Sequence, residues 1–543
     1  MKLIRHFIKI QLFVVLCMTQ SAFAQSNQVA KWEVLDIPIT LAKDIDQPFQ
    51  QTANAIFTHT SGSTQTVPIF YNGDKQWLIR FSAAKTGNWS YQTESDIAAL
   101  NGLQGSVSVT KGLDDNHGSI GLNKDYPQHF FYEDGTPYYA LAFELDWLFA
   151  LDYQNKDAVP KTDHMLSLLK DNGFNQVVMT VYSYDVRAES EPLYWRKDAK
   201  LAQHPEHEFG APKDIFPFLG NNQNPDFSSL NVEFFQKLDR TIQSLHDKRI
   251  AAHLMIYVWN KLVNWPAPNS AADNMYLDYV IKRYQAYPNI IWDIAKEGLF
   301  YDRDEDYIKG RFKRVNALNY ADRMLTIHDY GFCNRNPELV DFISIQDWKW
   351  NIYSNTAKAV QKFSHKPVFN IEHGGYDESP YRVFTGDYTD PEVNLRRNWH
   401  IIFAGAYSTY YWQAAAWNVI VYNPFEQPAS FIKPKFNYYQ NIAKFFAKYP
   451  FHQYESMPEK YGSAFGLASK DGNSHLIYVH KDIFQTGKGR SLFKPKDGHK
   501  YQTQWFNTLT GEFTALKTVN AEEQFISPWR GEADAVLVGT KIK

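Results

Sequence analysis

Three rhythms of apolar and polar residues follow one another along this chain. From 25 to about 115, short alternating runs are separated by turn residues: WEVLDIPITLA (32–42), ANAIFTH (53–59), TVPIFYNGDKQWLIRFSA (66–83), TGNWSYQTES (86–95) and GSVSVTK (105–111). A period of two means strands with one buried face. Asn72-Gly73-Asp74 between two apolar runs marks a hairpin. The pattern predicts a small β-sandwich over 25–115, followed by a linker and lead-in at 116–137. Between 138 and 450 the rhythm becomes strand, loop, helix. The strands are YYALAFE (138–144), QVVMTVY (176–182), AAHLMIYV (251–258), NIIWDIA (289–295), MLTIHD (324–329), DFISIQD (341–347), PVFNIE (367–372) and AYSTYYW (406–412). Amphipathic stretches such as HMLSLLKDNGF and VEFFQKLDRTIQSLHDK lie between them. Eight near-continuous apolar strands alternating with helices predict an α/β fold, a (β/α)8 TIM barrel, with strands buried on both faces. A doubly wound open sheet is the competing layout, but no Gly-rich phosphate loop follows the first strand. Short strands return in 451–543, a second β-sandwich.

Functional side chains of such a barrel sit at the C-terminal ends of its strands. Those ends offer Glu144 and Asp146, then Tyr182, Tyr184 and Asp185, then Trp259 and Asn260. Lys296 and Glu297, His328 and Asp329, and Gln346, Asp347 and Trp348 follow, with Glu372, His373, Trp412 and Gln413 closing the ring. The fourth strand poses the sharpest question, because NIIWDIAKEGLF breaks from apolar residues straight into lysine and glutamate. Glu297 after the fourth strand and Glu372 ending the seventh face a common mouth. Glycoside hydrolysis needs such a pair of carboxyl groups, one on each side of the scissile bond.

Composition narrows the partners. Residues 1–24 carry Lys2, Arg5 and Lys9, an apolar run and Ala-Phe-Ala before Gln25, the pattern of a cleavable secretory signal. Its apolar run is too short to span a bilayer, and no later segment reads as a span. Cys17 lacks the small residues that precede a lipidated cysteine, so the expectation is a protein exported to the periplasm or outside the cell. Only Cys333 remains after cleavage, so the cores must hold the fold without a disulfide. The formal charge of -3 falls to about -6 without the leader, which argues against nucleic acid. Aromatic residues make up 16% of the chain, enough to supply rings for stacking on sugars as well as core.

At this point the sequence resembles a family. Glutamates after strands four and seven look like those of the clan A retaining glycoside hydrolases. FYNGDKQWLIRFSAAKTGNWSYQTES is similar to the small β-sandwich found ahead of apiosidase-like barrels, and FFYEDGTPYYALAFELDW to the start of those barrels. YQTQWFNTLTGEF with ADAVLVGTK is similar to their C-terminal sandwich, whose collagen-binding label is given no functional weight. The resemblance implies Glu297 as acid/base and Glu372 as nucleophile, acting on a polysaccharide or oligosaccharide. Substrate contacts are expected from Glu144, Tyr184, Asn260, Lys296, His328 and Trp412. Lys296 stands where the clan usually has asparagine, a departure that hints at an anionic, sulfated or uronic glycan.

Other readings stay open at this level. A barrel that binds sugar without cutting it would explain Lys296 as a symptom of lost catalysis. An inverting enzyme would use Asp146, Asp329 or Asp347 as one partner. Trp259, Trp348 and Trp412 serve equally as rim packing, and Tyr411 belongs to the core by strand alternation. No HExxH, cysteine pair or calcium loop calls for a metal or cofactor, and His328 and His373 read as hydrogen-bonding residues. No GxSxG elbow is present, and Cys333 reads as a structural thiol. The long insertion at 183–230 is expected to wall the cleft.

Overall fold

A computed structural model describes residues 26–146, 148–182, 207–208, 216–259, 263–299, 303–373, 390–412, 420–426, 429, 433–457, 465–482, 499–520 and 525–542. The N-terminal strands are Ser26–Ala30, Leu35–Thr40, Ala53–His59, Thr64–Gly73, Gln76–Phe81, Gly87–Ser95 and Gln104–Thr110. Thr64–Gly73 pairs with 53–59 through its first half and with 76–81 through its second, so it passes from one layer to the other. Phe57 and Phe81 stack between the layers at 4.1 Å. The predicted hairpin forms one residue late. Asp74 and Lys75, both with positive φ, make the turn, and a bulge at Tyr71–Gly73 absorbs the offset.

Eight parallel strands follow, labelled here β1 (Leu141–Glu144), β2 (Gln176–Thr180), β3 (Ala251–Val258), β4 (Ile290–Lys296), β5 (Leu325–His328), β6 (Ile343–Gln346), β7 (Val368–Glu372) and β8 (Tyr407–Tyr410). The ladder runs β5-β4-β3-β2-β1-β8-β7-β6. It closes between β5 and β6, where Asp341 N donates to Leu325 O (2.8 Å) and Thr326 Oγ1 to Phe342 O (3.0 Å). The strands are short and almost wholly buried, as continuous apolar runs between an inner core and an outer ring of helices must be. The helix Val232–Asp247 shows how that ring is built. Asn231 caps it by accepting from Phe234 N, and Phe234, Phe235, Leu238, Ile242 and Leu245 face inward at helical spacing. At the opposite end, the hairpin Ile120–Asn123 and Tyr126–Tyr132 stoppers the barrel. Its Phe130 meets Phe342 edge-on at 5.3 Å and Tyr407 at 4.9 Å.

The last described strands, from Tyr454–Ser456 to Ala535–Ile542, form one six-stranded sheet. One face, with Leu467, Leu476, Tyr478, Phe506 and Val538, joins the barrel core; Ile477, Val479, Tyr501, Val519 and Leu537 make a small core on the other.

The N-terminal sandwich is bolted to the barrel by buried charge. Arg80 forks onto Asp36 (2.8 Å to each oxygen) on its own sheet, and reaches Asp239 Oδ2 (2.9 Å) and the Arg283 carbonyl (3.0 Å). Arg283 binds Asp239 (2.6 Å) and returns to Asn72 Oδ1 (2.8 Å). A second joint sets Glu33 against Arg249 (2.7 Å) and His246 (3.1 Å). Among the described residues, no helix is long and apolar enough to cross a membrane.

Candidate active site at the mouth of the barrel

The break from apolar strand to Lys296-Glu297 has a backbone cause. Strand alternation turns Trp292 outward, where its indole donates to Asn319 Oδ1 (3.3 Å), and Asp293 inward to His253 (3.0 Å). Three residues on, Lys296 should point outward again. It does not, because the ladder to β5 shifts between Asp293↔Thr326 and Lys296↔His328, so β4 carries one extra residue. That bulge moves Lys296 to the inner face. Asp293 fills it, its Oδ1 accepting from the backbone N–H groups of Ala295 (3.1 Å) and His328 (2.9 Å). Glu297 then takes φ +59°, a left-handed turn that a non-glycine residue adopts at a cost of about 1–2 kcal/mol. The turn swings its carboxylate toward the mouth, where Gln346 Nε2 donates to Glu297 Oε1 (2.9 Å).

The seventh strand uses the same device. Ile345 pairs with Asn370 but Gln346 with Glu372, so Ile371 is the extra residue. With its amide turned to suit these partners, Asn370 donates to the carbonyls of Ile345 (3.2 Å) and Glu372 (3.0 Å). Tyr411 donates to the Ile371 carbonyl (2.6 Å). Two bulges thus set the two glutamates.

A cavity of about 560 Å³ opens at this end of the barrel, lined by Glu297, Leu299, His328, Asp329, Tyr330, Gly331, Arg335, Gln346 and Trp348. Glu372 lies behind His328, whose Nε2 is 3.4 Å from Glu372 Oε2, and it is 1% exposed. Below the mouth, Lys296 Nζ donates to Glu144 Oε1 (2.7 Å) and lies 3.2 Å from Glu372 Oε2 and 3.6 Å from Asp146 Oδ2. Burial and the neighbouring Asp146 push the Glu144 carboxyl well above its usual range, against the pull of Lys296. Burial also pushes Glu372 up, but the Lys296 ammonium and the His328 contacts override it and hold that carboxyl well below the usual range.

The other sequence expectations sort by position. Glu144 and Lys296 are fully buried and bind each other, and neither is among the described residues that line the cavity. His328 is part of the cavity lining. Trp412 is fully buried. Tyr184, Asn260 and most of the 183–230 insertion lie outside the described residues. Of the three tryptophans, Trp348 lines the cavity, while Trp259 backs the Glu297 turn so closely that a Cβ on Gly298 would fall 2.4 Å from its ring. Tyr411 is buried, His373 hydrogen-bonds the Thr409 carbonyl (2.8 Å), and burial lifts the Cys333 thiol to about 12.

Sequence reasoning passed over Asp293 and the residues that hold it. Tyr138 OH donates to Gln176 Oε1 (3.0 Å), and Gln176 Nε2 donates to His253 Nδ1 (3.1 Å). His253 therefore carries its proton on Nε2 and donates it to Asp293. The signal was present, since Gln176, His253 and Asp293 each interrupt a run that should be apolar throughout. Among the described residues, no group of three or more His, Cys, Asp or Glu is arranged to hold a metal ion.

Residues 125–451 match the profile described as "Apiosidase-like, catalytic domain", and residues 28–96 match a domain of unknown function, DUF5060. Among solved structures, a candidate glycoside hydrolase from Bacteroides vulgatus ATCC 8482 aligns over 95% of this chain and 100% of its own, with a TM-score of 0.70 and 19% identity. A glycoside hydrolase family 5 structure from the same strain aligns over 78% of this chain and 93% of its own, with a TM-score of 0.54 and 16% identity. At these identities the likeness is one of fold. No curated protein sequence matches the chain.

Proposed function

This chain belongs to the apiosidase-like family and is a glycoside hydrolase; from that premise we propose an exported, retaining enzyme that cuts a plant or algal polysaccharide, or its oligosaccharides, by double displacement. The observation that carries the mechanism is the unequal setting of two glutamates at one end of the barrel, Glu297 on the cavity wall and Glu372 buried behind His328. Glu372 is buried against a lysine and a histidine that favour its anion, the state a nucleophile needs. Glu297 stands on the wall of an open cavity, where a leaving oxygen and later a water can reach it. In the first step Glu372 attacks the anomeric carbon while Glu297 gives its proton to the departing oxygen. In the second, the Glu297 carboxylate takes a proton from water; the water oxygen attacks the anomeric carbon and frees Glu372. His328 is suited to touch the sugar bound at Glu372, and Trp348 to stack on it.

The substrate is read as an uncharged glycan. Lys296 suggested an anionic one from sequence, but its ammonium sits beneath the mouth among three carboxylates. The described wall itself carries Glu297 and Asp329, and its Arg335 is paired with Glu305 at 2.8 Å.

The test is a panel of 4-nitrophenyl glycosides, followed by proton NMR of the sugar first released from whichever is cleaved. Retention of the anomeric configuration is expected, with turnover abolished in Glu372→Gln and cut by about 10²–10⁴ in Glu297→Gln on substrates with poor leaving groups. Inversion, or a Glu372→Gln variant that still turns over, would overturn the mechanism.

A further inference from the structure

The seat of Lys296 deepens this mechanism, and the role assigned to it rests on Glu372 being the nucleophile. We propose that Lys296 is a positioning residue for Glu372: its ammonium, clamped between the Glu144 and Glu372 carboxyl groups, aims Glu372 and keeps its charge, in place of contacting the sugar. Its described carboxyl partners, Glu144, Asp146 and Glu372, are all buried. Lys296 and Glu144 have fully buried side chains, and that of Glu372 is 2% exposed. The bulge that brings Lys296 inward is anchored by Asp293 and His253, so the lysine has been carried to this place by a change in strand register rather than left there by a flexible stem.

Among the described residues, the groups around Glu372 and Lys296 come from five strand ends, with Asp347 after β6 donating its backbone N–H to the Glu372 carbonyl (2.9 Å). β1 supplies Glu144 and, just beyond it, Asp146; β4 supplies Lys296; β5 supplies His328; and Tyr411, after β8, binds the carbonyl next to Glu372. Burial and Asp146 push the Glu144 carboxyl up, while Lys296 and His328 hold Glu372 down against its own burial, so negative charge beside the ammonium is favoured on Glu372. The short bond from Lys296 to Glu144 fixes the ammonium from the far side, so that it meets Glu372 at one oxygen, Oε2.

A lysine that merely filled space and a lysine that holds a charge respond differently to replacement. The probe is the aryl glycoside turned over fastest in the panel, with kcat/KM measured against pH for the full chain. Lys296→Met is expected to raise the acidic limb of the profile by about 1–3 pH units and to lower kcat. Lys296→Gln keeps a donor without the charge, serves if the Met variant does not fold, and is expected to move the limb in the same direction. Lys296→Arg keeps the charge and leaves the limb where wild type has it. An unmoved limb in the neutral variants, with kcat merely reduced, would make Lys296 a structural residue and sink the proposal. So would a rise in KM at constant kcat, the mark of a direct substrate contact. Glu372→Gln run in the same assay separates the two levels. If it still turns over, the nucleophile assignment falls; if it is dead while the limb stays put, only the role of Lys296 does.

Discussion

At the scale of single residues, the site depends on one strained backbone torsion. Glu297 sits at φ +59°, and that torsion turns its side chain to Gln346 at the mouth. Replacing it by glycine removes the left-handed penalty, whereas alanine keeps it. Both variants lose the carboxyl proposed as acid/base, so both are expected to lose turnover on substrates with poor leaving groups, but Glu297→Gly should unfold in urea at a stability about 1 kcal/mol above Glu297→Ala. Equal midpoints would mean the turn carries no strain. This torsion explains why Glu297 was legible in the sequence as a candidate while the reason it faces the mouth was not. A carboxylate after an apolar run is visible in the letters; a left-handed turn at a non-glycine residue is not. Lys296 shows the opposite failure. The sequence flagged it as odd and pointed it at the substrate, because burial against Glu144 and Asp146 requires knowing that the β1 and β4 ends meet.

Elements were easier to read than their registers. Each barrel strand lies where the apolar runs place it, because a strand buried on both faces has little choice but continuous apolarity. The bulges in β4 and β7 escaped, since one extra residue in a parallel ladder leaves no mark in composition. The N-terminal hairpin slipped by one residue for the same reason, with Asp74-Lys75 turning where Asn72-Gly73-Asp74 was expected. The joint between the sandwich and the helices Val232–Asp247 and Ala271–Tyr284 was also invisible, being made of residues far apart in the chain. It gives a sharp prediction. Asp239→Asn leaves two buried guanidiniums sharing a neutral amide, which should destabilise the protein by about 3 kcal/mol, measured by denaturant unfolding. A loss within experimental error of zero would mean the joint is ornamental.

For the whole molecule, the same joints set an acid boundary. The Arg283 and Arg80 charges hold Asp239 at about 2 against the burial that would raise it; Glu33 is likewise held at about 2, by His246, Asn116 and Arg249. Unfolded, these groups titrate near 3.8 and 4.5, so the unfolded chain takes up their protons first as pH falls. Their contribution is complete above about pH 4.5 and is lost on the way down to pH 2. Melting temperature should therefore drop across that window, and drop less steeply in Asp239→Asn; parallel curves would remove Asp239 from the account. The joint also bears on how this chain can change by descent. Arg80 serves Asp36 on its own sheet, Asp239 on one barrel helix and the Arg283 carbonyl on another, while Arg283 answers to Asn72 in the sandwich. Alter Asp239 and two buried guanidiniums lose the carboxylate they share until a second alteration, dozens of residues away, makes it good. A sandwich transplanted from a relative with other residues at the joint would arrive carrying half of a lock. Two regions that look separable in a diagram are therefore bound to vary together.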